Sequence, residues 1–212
     1  MLIASYNPKS TGDTMVLIMN QDTAEQQVAI HDNVARIFDS THHTTLGYNF
    51  LKASTILPEL VHINGRVDLD QHQIDLLNQY LTAHGFPGDI KFDDQPRFVV
   101  GYVKQVDAHP RSDHLKITQT EVDHGQELQI VSGSPNMKAA IKVVVAKVGA
   151  MMPDGQIIWP GELRGVKSNG MICSGRELGL PNAPQVPGAL ILPDDYQVGE
   201  PFDFKRAQNL FS

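Results

Sequence analysis

The chain has little of what secreted, membrane-spanning and zinc-binding proteins need. Cys173 is the only cysteine among 212 residues, which excludes an internal disulfide framework and a zinc site built from several cysteines. The first residues, Met-Leu-Ile-Ala, contain no basic region, and no stretch approaches the roughly 18 consecutive apolar residues of a membrane helix. We therefore expect a cytoplasmic protein that contacts no membrane and binds no cofactor or metal.

Positive charge is scarce in the first half of the chain. Residues 1–96 contain 5 Lys and Arg against 12 Asp and Glu, whereas residues 97–212 contain 12 of each. An acidic surface discourages contact with phosphate, while the cations of the second half could be grouped on one face. The composition excludes a histone-like protein that binds nucleic acid through bulk charge.

Strand patterns followed by one helix pattern occupy the first half. Asp70 and Gln73 form a capping-box pair at the start of the helix pattern, and apolar residues then repeat with helical spacing. Gly85 and Pro87 supply the stop signal. The pattern predicts a small α+β domain over residues 1–90. Its strand candidates are residues 2–7, 14–19, 27–38 with a break at 32–33, 48–52 and 61–64.

Isolated polar residues in this half do not form a recognisable site. The pair His42 and His43 has no carboxylate or cysteine at a familiar ligand spacing, so a solvated turn is the better interpretation. Carboxylate pairs such as Asp68 with Asp70 fall at turns, where caps and solvated loops are the usual role. An enzymatic role for the first domain is therefore the weakest hypothesis.

A second pattern of short strands fills the other half. Residues 91–96 are polar and end in a proline, which is typical of a linker. Strand patterns separated by Gly, Pro and Asn turns then predict a small OB-type barrel over residues 97–204. Gly101 indicates a bend or bulge in the first of these strands. The expected fold is an α+β N-terminal domain followed by an all-β OB-fold barrel. The strand candidates are residues 98–106, 115–122, 127–132, 142–148, 157–163 and 189–192.

The segment LRGVKSNGMICSGRELGL at 163–180 combines glycines, cations and polar side chains so densely that it suggests a binding edge. Gly165 permits a sharp turn, and Arg164 and Lys167 on either side of it could reach phosphates. Ser168 and Asn169 carry groups that bond phosphate or ribose hydroxyl oxygens. From charge alone, however, an ordinary solvated barrel surface would look similar.

Three motifs in a fixed order carry a resemblance to a known family. They are HPRSDHLKITQTEVD at 109–123, LQIVSGSPNMKAAIKVVVAKVGAMMPDGQ at 128–156, and the segment at 163–180. Together they resemble the tRNA-binding OB-fold domain of the bacterial phenylalanyl-tRNA synthetase beta subunit, of methionyl-tRNA synthetases, and of the endothelial monocyte-activating polypeptide. The resemblance covers about residues 97–202. Where that family often has Gly-Gln, this chain has Ala140 and Ile141, so the turn before the fourth strand is expected to differ.

An acidic domain of roughly ninety residues precedes the barrel, and the chain ends soon after it, whereas a synthetase beta subunit would continue through further domains. This architecture resembles the stand-alone bacterial tRNA-binding proteins of the YtpR type. The resemblance implies a non-catalytic protein that binds tRNA or another structured RNA, and a homodimer is an open alternative because related stand-alone barrels are often dimers. A chaperone-like or protein-interaction role on the same barrel is the competing hypothesis.

The expected RNA contacts combine the motif positions with the surrounding cations. For Met171, Ile172 and Cys173 the favoured interpretation is strand packing beneath the loop, although Met171 stays among the candidates. His109 and Asp113 are expected to brace their loop. The candidate RNA-binding residues are Lys104, Lys116, Asn136, Arg164, Lys167, Ser168, Asn169, Gly170, Met171 and Ser174.

Overall fold

The computed structural model describes residues 1–211. The chain divides into two compact units, Met1–Asp94 and the remainder from Gln95 onward. Within the described residues, no helix is both long enough and apolar enough to cross a membrane.

The first unit is a six-stranded antiparallel sheet with one long helix. The strand order is β3-β4-β5-β2-β1-β6, so β3 and β6 form the two edges. The predicted strand at 27–38 is a hairpin broken at Asp32 and Asn33, as the turn signal there indicates. The bounds are β1 Ile3–Tyr6, α1 Pro8–Thr11, β2 Thr14–Ile18, β3 Gln26–His31, β4 Val34–Asp39, β5 Thr45–Leu51, β6 Gly65–Val67 and α2 Gln71–Ala83.

Helix α2 begins where the capping signal predicts. Asp70 accepts a hydrogen bond from the backbone N–H of Gln73 at 2.8 Å, and the Gln73 side chain accepts one from the backbone N–H of Asp70 at 2.9 Å. Its apolar stripe of Ile74, Leu77 and Leu81 is buried in the core of the unit. The capping box and the stripe together fix the start and the rotation of the helix.

One predicted strand of this unit is wrong. Residues 61–64 were expected to be extended, but Pro58–His62 forms a 3-10 helix and the strand begins at Gly65. Pro58 favours the first turn of a helix because its φ is fixed and its missing N–H would be unpaired there in any case. Leu60 is buried from this turn, so packing decides a segment whose local pattern is ambiguous.

The second unit is a five-stranded antiparallel sheet that curls into a nearly closed barrel. The strand order is β13-β10-β7-β8-β9, which confirms the OB-type barrel expected for this half. A separate two-stranded hairpin, β11–β12, lies in the connection before β13. The bounds are β7 Phe98–Ala108, β8 Lys116–Glu121, β9 Glu127–Ser132, β10 Ile141–Ala146, β11 Gly161–Leu163, β12 Val166–Ser168 and β13 Met171–Ile172.

Both faces of the central strands are buried, which explains their continuous apolar runs. Val99, Val143 and Val145 pack with residues of the other strands in the barrel interior. Their neighbours Val100 and Val144 point the opposite way, into a second core covered by the segments that follow β10. Since successive side chains of a strand alternate between faces, a strand buried on both faces loses its polar positions.

Gly101 does not mark the bulge in β7. The irregularity lies between Val103 and Gln105, two residues further on, where Lys104 is the additional residue. Gly101 is needed for packing instead, because a Cβ there would lie 2.6 Å from a methyl of Val145 and 3.0 Å from a methyl of Thr120. Both features allow the strand to coil tightly around the barrel.

The fifth barrel strand is the short β13, not either of the two later strand candidates. Residues 157–163 contribute only a bridge from Ile157 to Met151 and then β11, while residues 189–192 contribute one bridge from Ile191 to Val143. Predicting two residues as a strand requires knowledge of their partner, here Val145 and Ala146 of β10. This pairing is set by tertiary structure rather than by local pattern.

Candidate nucleic-acid interface

The hairpin β11–β12 carries the basic residues that the sequence places around a glycine. Arg164 and Gly165 form its tip, with φ values of 48° and 81°, the left-handed pair that a tight two-residue hairpin turn requires. Glycine adopts this conformation without strain. The turn projects Arg164 from the end of the hairpin and leaves Lys167 exposed on β12.

A buried histidine joins this tip to the loop between β7 and β8. The His109 ring accepts a hydrogen bond at Nδ1 from the backbone N–H of Arg111 at 3.1 Å, so its Nε2–H donates to the carbonyl of Leu163 at 3.0 Å. Arg164 in turn donates from Nη1 to the carbonyl of Arg111 at 3.0 Å. The bonds from His109 to Leu163 and from Arg164 to Arg111 connect residues more than fifty positions apart and hold two arginines at one corner of the barrel.

The other end of the hairpin is fixed to the edge of the barrel. The Gln129 side chain donates to the carbonyl of Lys167 at 2.8 Å, and the backbone carbonyl of Gln129 accepts from the backbone N–H of Asn169 at 2.9 Å. The buried hydroxyl of Ser168 accepts from the backbone N–H of Val131 at 3.1 Å. Residues 166–172 therefore bridge the gap between β9 and β10 and close the barrel.

We call the hairpin β11–β12, Asn169 and residues 109–116 the hairpin face. It carries four cations, Arg111, Lys116, Arg164 and Lys167, and two carboxylates, Asp113 and Glu162. Within residues 1–211, none of these four cations forms an ion pair at 4.0 Å or less. The face therefore has a net positive charge that no carboxylate contact neutralises, the property that phosphate binding needs.

Two of the candidate RNA contacts are buried serines with partners inside the chain. The Ser168 hydroxyl accepts from Val131 and donates to the carbonyl of Gly170 at 3.1 Å. The Ser174 hydroxyl donates to the carboxylate of Glu177 at 2.7 Å. Both hydroxyls are therefore occupied and shielded, and both serines brace the segment.

Lys104 and Asn136 are exposed but engaged elsewhere. The Lys104 ammonium lies 2.6 Å from Glu127 and 3.7 Å from Glu121, and the hydrogen bond to Glu127 raises the pKa of Lys104. Both ends of the Asn136 amide bond the backbone of Ala189, at 2.8 and 2.9 Å. The partners of both residues lie outside the hairpin face, so neither Lys104 nor Asn136 belongs to it.

Gly170 and Met171 shape the segment after the hairpin. Gly170 has a φ of 142°, and a Cβ there would lie 3.0 Å from the carbonyl oxygen of Ala146. Met171 pairs with Ala146 in β13 and packs, half-buried, against the outer core. Cys173 is fully buried beneath it, and this burial raises the pKa of its thiol to about 12. These positions anchor the hairpin, as the apolar run between the polar residues indicates.

Arg111 is a residue of the hairpin face that sequence reasoning missed. It lies in the His-Pro loop, and its guanidinium is so close to the hairpin tip that a Cβ on Gly165 would lie 3.0 Å from Nη1. The sequence signal that could have identified Arg111 is its position two residues after His109, within one of the three motifs. The contact with Gly165, however, depends on how the loop and the hairpin meet in the fold.

No group of three or more His, Cys, Asp or Glu residues in the described part of the chain is arranged to hold a metal ion. His42 and His43 lie in the exposed turn between β4 and β5. The Asp39 carboxylate accepts from the backbone N–H groups of Thr41 and His42, a turn-stabilising arrangement that lowers its pKa, chiefly through the His42 backbone bond.

Comparisons with known proteins separate the same two regions. Residues 98–201 match the family described as "Putative tRNA binding domain", and residues 21–93 match a domain of unknown function, DUF4479. The phenylalanine--tRNA ligase beta subunit of Neisseria meningitidis serogroup A is 44% identical over 59% of this chain but only 16% of its own length. Among solved structures, the C-terminal domain of Plasmodium vivax p43 matches 51% of this chain and 61% of its own, at 28% identity and a TM-score of 0.36.

A match over both units decides the family. "Putative tRNA-binding protein YtpR" of Bacillus subtilis is 43% identical over 204 residues, which cover 95% of this chain and 99% of that protein. This match includes the acidic unit as well as the barrel, whereas the match to the synthetase subunit covers only part of the chain. The chain therefore belongs to the YtpR family.

Proposed function

We propose that this protein binds structured RNA, and tRNA in particular, through the hairpin face of its barrel, without catalysing a reaction. The observation that carries the proposal is that the four cations of the hairpin face form no ion pair within residues 1–211, while hydrogen bonds hold Arg111 and Arg164 together at its tip. The names of the YtpR relative and of the matched domain family support tRNA as the ligand.

In this proposal the chain works in the cytoplasm as a domain of unknown role at residues 1–90, a linker at 91–96 and the tRNA-binding barrel at 97–204. The RNA contacts are Arg111, Lys116, Arg164, Lys167 and Asn169. Their spread over a loop and a hairpin suits contact with the shape of a folded backbone, since structured RNA is recognised mostly through phosphates and ribose hydroxyls.

The salt dependence of tRNA binding tests the proposal. If four cations each neutralise one phosphate, the logarithm of the affinity falls against the logarithm of the salt concentration with a slope of about −3. Fluorescence anisotropy of labelled tRNA, measured from about 50 to 200 mM salt, gives this slope. A flat response, or equal affinity for tRNA and duplex DNA, contradicts the proposal.

A single-residue variant assigns the contact to the hairpin face. Lys167→Ala should weaken tRNA binding and make the slope about one unit less steep, because one phosphate contact is lost. Lys205→Ala removes the same charge from the C-terminal segment, outside the hairpin face, and serves as the matched control. Equal effects of the two substitutions would mean that net charge rather than the hairpin face determines binding.

A groove on the barrel favours a second candidate function, protein interaction. Its volume is about 260 Å³, and Pro184, Val186 and Ile191 are among the residues that line it. Val186 is 62% exposed and Ile191 41% exposed, which is the kind of apolar surface that a peptide could cover. Protein whose absorbance at 260 nm shows no bound RNA, and which still binds unfolded chains, would favour this function over RNA binding.

A further inference from the structure

A polar cleft lies at the end of the barrel opposite the loop at 109–115. It forms where the β8–β9 turn, the start of β7 and the segment after β10 come together, and its volume is about 570 Å³. This volume falls in the range of sites that hold small ligands. The lining includes Asp123, His124, Gln126, Lys147 and Asn169.

A buried ion pair is part of this cleft. Lys147 Nζ lies 2.9 Å from each carboxylate oxygen of Asp123, and both side chains are almost fully shielded from solvent. Their charges cancel, and the other two charged residues of the lining, Arg97 and Glu127, are one of each sign. The cleft therefore lacks the excess positive charge that would select a free phosphate.

The remaining polar groups suit a neutral heterocycle. Gln126 and Asn169 make no side-chain hydrogen bond of 3.5 Å or less within residues 1–211, and both are exposed at the cleft. His124 adds an imidazole that is 87% exposed at a tight turn with a left-handed backbone. Amide side chains offer a donor and an acceptor side by side, the arrangement that pairs with the edge of a base.

The cleft is continuous with the hairpin face through one residue. Asn169 lines the cleft and directly follows β12, where its backbone is fixed to Gln129. At about 3.3 Å per extended residue, the five-residue path from Arg164 to Asn169 is roughly 17 Å long. An RNA backbone that contacts the cations of the hairpin face can therefore extend to the mouth of the cleft.

We propose that this cleft binds the base of a single unpaired nucleotide of the RNA held on the hairpin face, with Gln126 and Asn169 bonding its edge. This inference rests on the proposed RNA-binding function and adds a site for an unstacked base to it. Unpaired bases are the parts of a folded RNA whose edges are open to hydrogen bonding.

Three RNA probes test the inference with the full-length chain. They are a short blunt RNA duplex, the same duplex with a one-nucleotide 3′ overhang, and the duplex with an abasic overhang. The nucleotide overhang should bind about five- to tenfold more tightly than the other two probes, because only it supplies a base edge for the amides.

Two variants separate the cleft from the hairpin face. Gln126→Ala changes an exposed side chain of the cleft that lies outside the hairpin face, and it should remove most of the overhang preference while leaving the affinity for the blunt duplex and its salt slope unchanged. Lys167→Ala should weaken binding to all three probes and keep the preference.

The outcomes distinguish this inference from the function on which it rests. If all three probes bind with equal, salt-dependent affinity, the base-binding role of the cleft is wrong and the RNA-binding role of the hairpin face still stands. An overhang preference that survives Gln126→Ala also overturns it, because the base would then lie elsewhere. Failure to bind tRNA or any of the probes removes the proposed function and the inference together.

Discussion

Replacing Ser168 by alanine separates bracing from RNA contact. The hydroxyl accepts from the backbone N–H of Val131 and donates to the carbonyl of Gly170, and Ser168 is 4% exposed. Alanine removes both bonds and leaves the Val131 N–H without this partner. A buried unpaired N–H costs about 1–3 kcal/mol, so we expect the barrel to lose about 2 kcal/mol of unfolding free energy.

Thermal unfolding of the full-length chain, followed by circular dichroism, measures this loss. For a unit of this size, about 2 kcal/mol corresponds to a fall in the melting temperature of roughly 8 °C. At 25 °C the variant should still be folded and bind tRNA with an unchanged salt slope, because no charge is lost.

Lys167→Ala should show the opposite behaviour. The Lys167 side chain is exposed and forms no ion pair among residues 1–211, so its loss should change the melting temperature little. The slope of tRNA affinity against salt concentration should become less steep. If Ser168→Ala instead melts like the unmodified protein and loses tRNA affinity, the hydroxyl faces the RNA and the bracing role assigned to it is wrong.

Two further predictions concern the barrel itself. Ala140 has a φ of 61°, a strained angle for alanine, so Ala140→Gly should stabilise the barrel by about 0.5 kcal/mol, and a lowered melting temperature would contradict this. Cys173 is fully buried, and burial raises the pKa of its thiol from 9.0 to about 12, so a thiol reagent at pH 8 should label it only after unfolding. Because the raised pKa favours the protonated folded state, its contribution to stability is complete below about pH 9 and is lost as the pH rises towards 12; rapid labelling of the native protein would refute this.

Elements with strong local signals could be predicted from sequence. The capping box at Asp70 and Gln73 formed because its two hydrogen bonds lie within one turn of chain. Strand β9 has the predicted bounds, since polar turns on both sides limit its apolar run. By contrast, β13 has two residues and exists only because β10 lies beside it.

The hairpin face was predicted only in part for the same reason. Arg164 and Lys167 flank a glycine in the sequence, so their proximity to each other is a local property. The contact between Arg111 and the hairpin tip depends on the hydrogen bond from His109 to the carbonyl of Leu163, which is 54 residues away along the chain. The burial of Ser168 depends on Val131, which is 37 residues away along the chain. A local sequence pattern cannot predict contacts between residues so far apart in the chain.

The zero net charge of the second half conceals how its charges are placed. Lys104, Lys147 and Arg206 each lie within 3 Å of a carboxylate oxygen, so several of the acids counted in that half neutralise cations that do not belong to the hairpin face. The hairpin face then keeps four cations against two carboxylates, although the whole half has 12 of each. Because screening limits electrostatic reach to about 10 Å, a bound phosphate responds to this local excess rather than to the total. A balanced composition is therefore compatible with a basic binding surface, provided that the fold pairs the other charges.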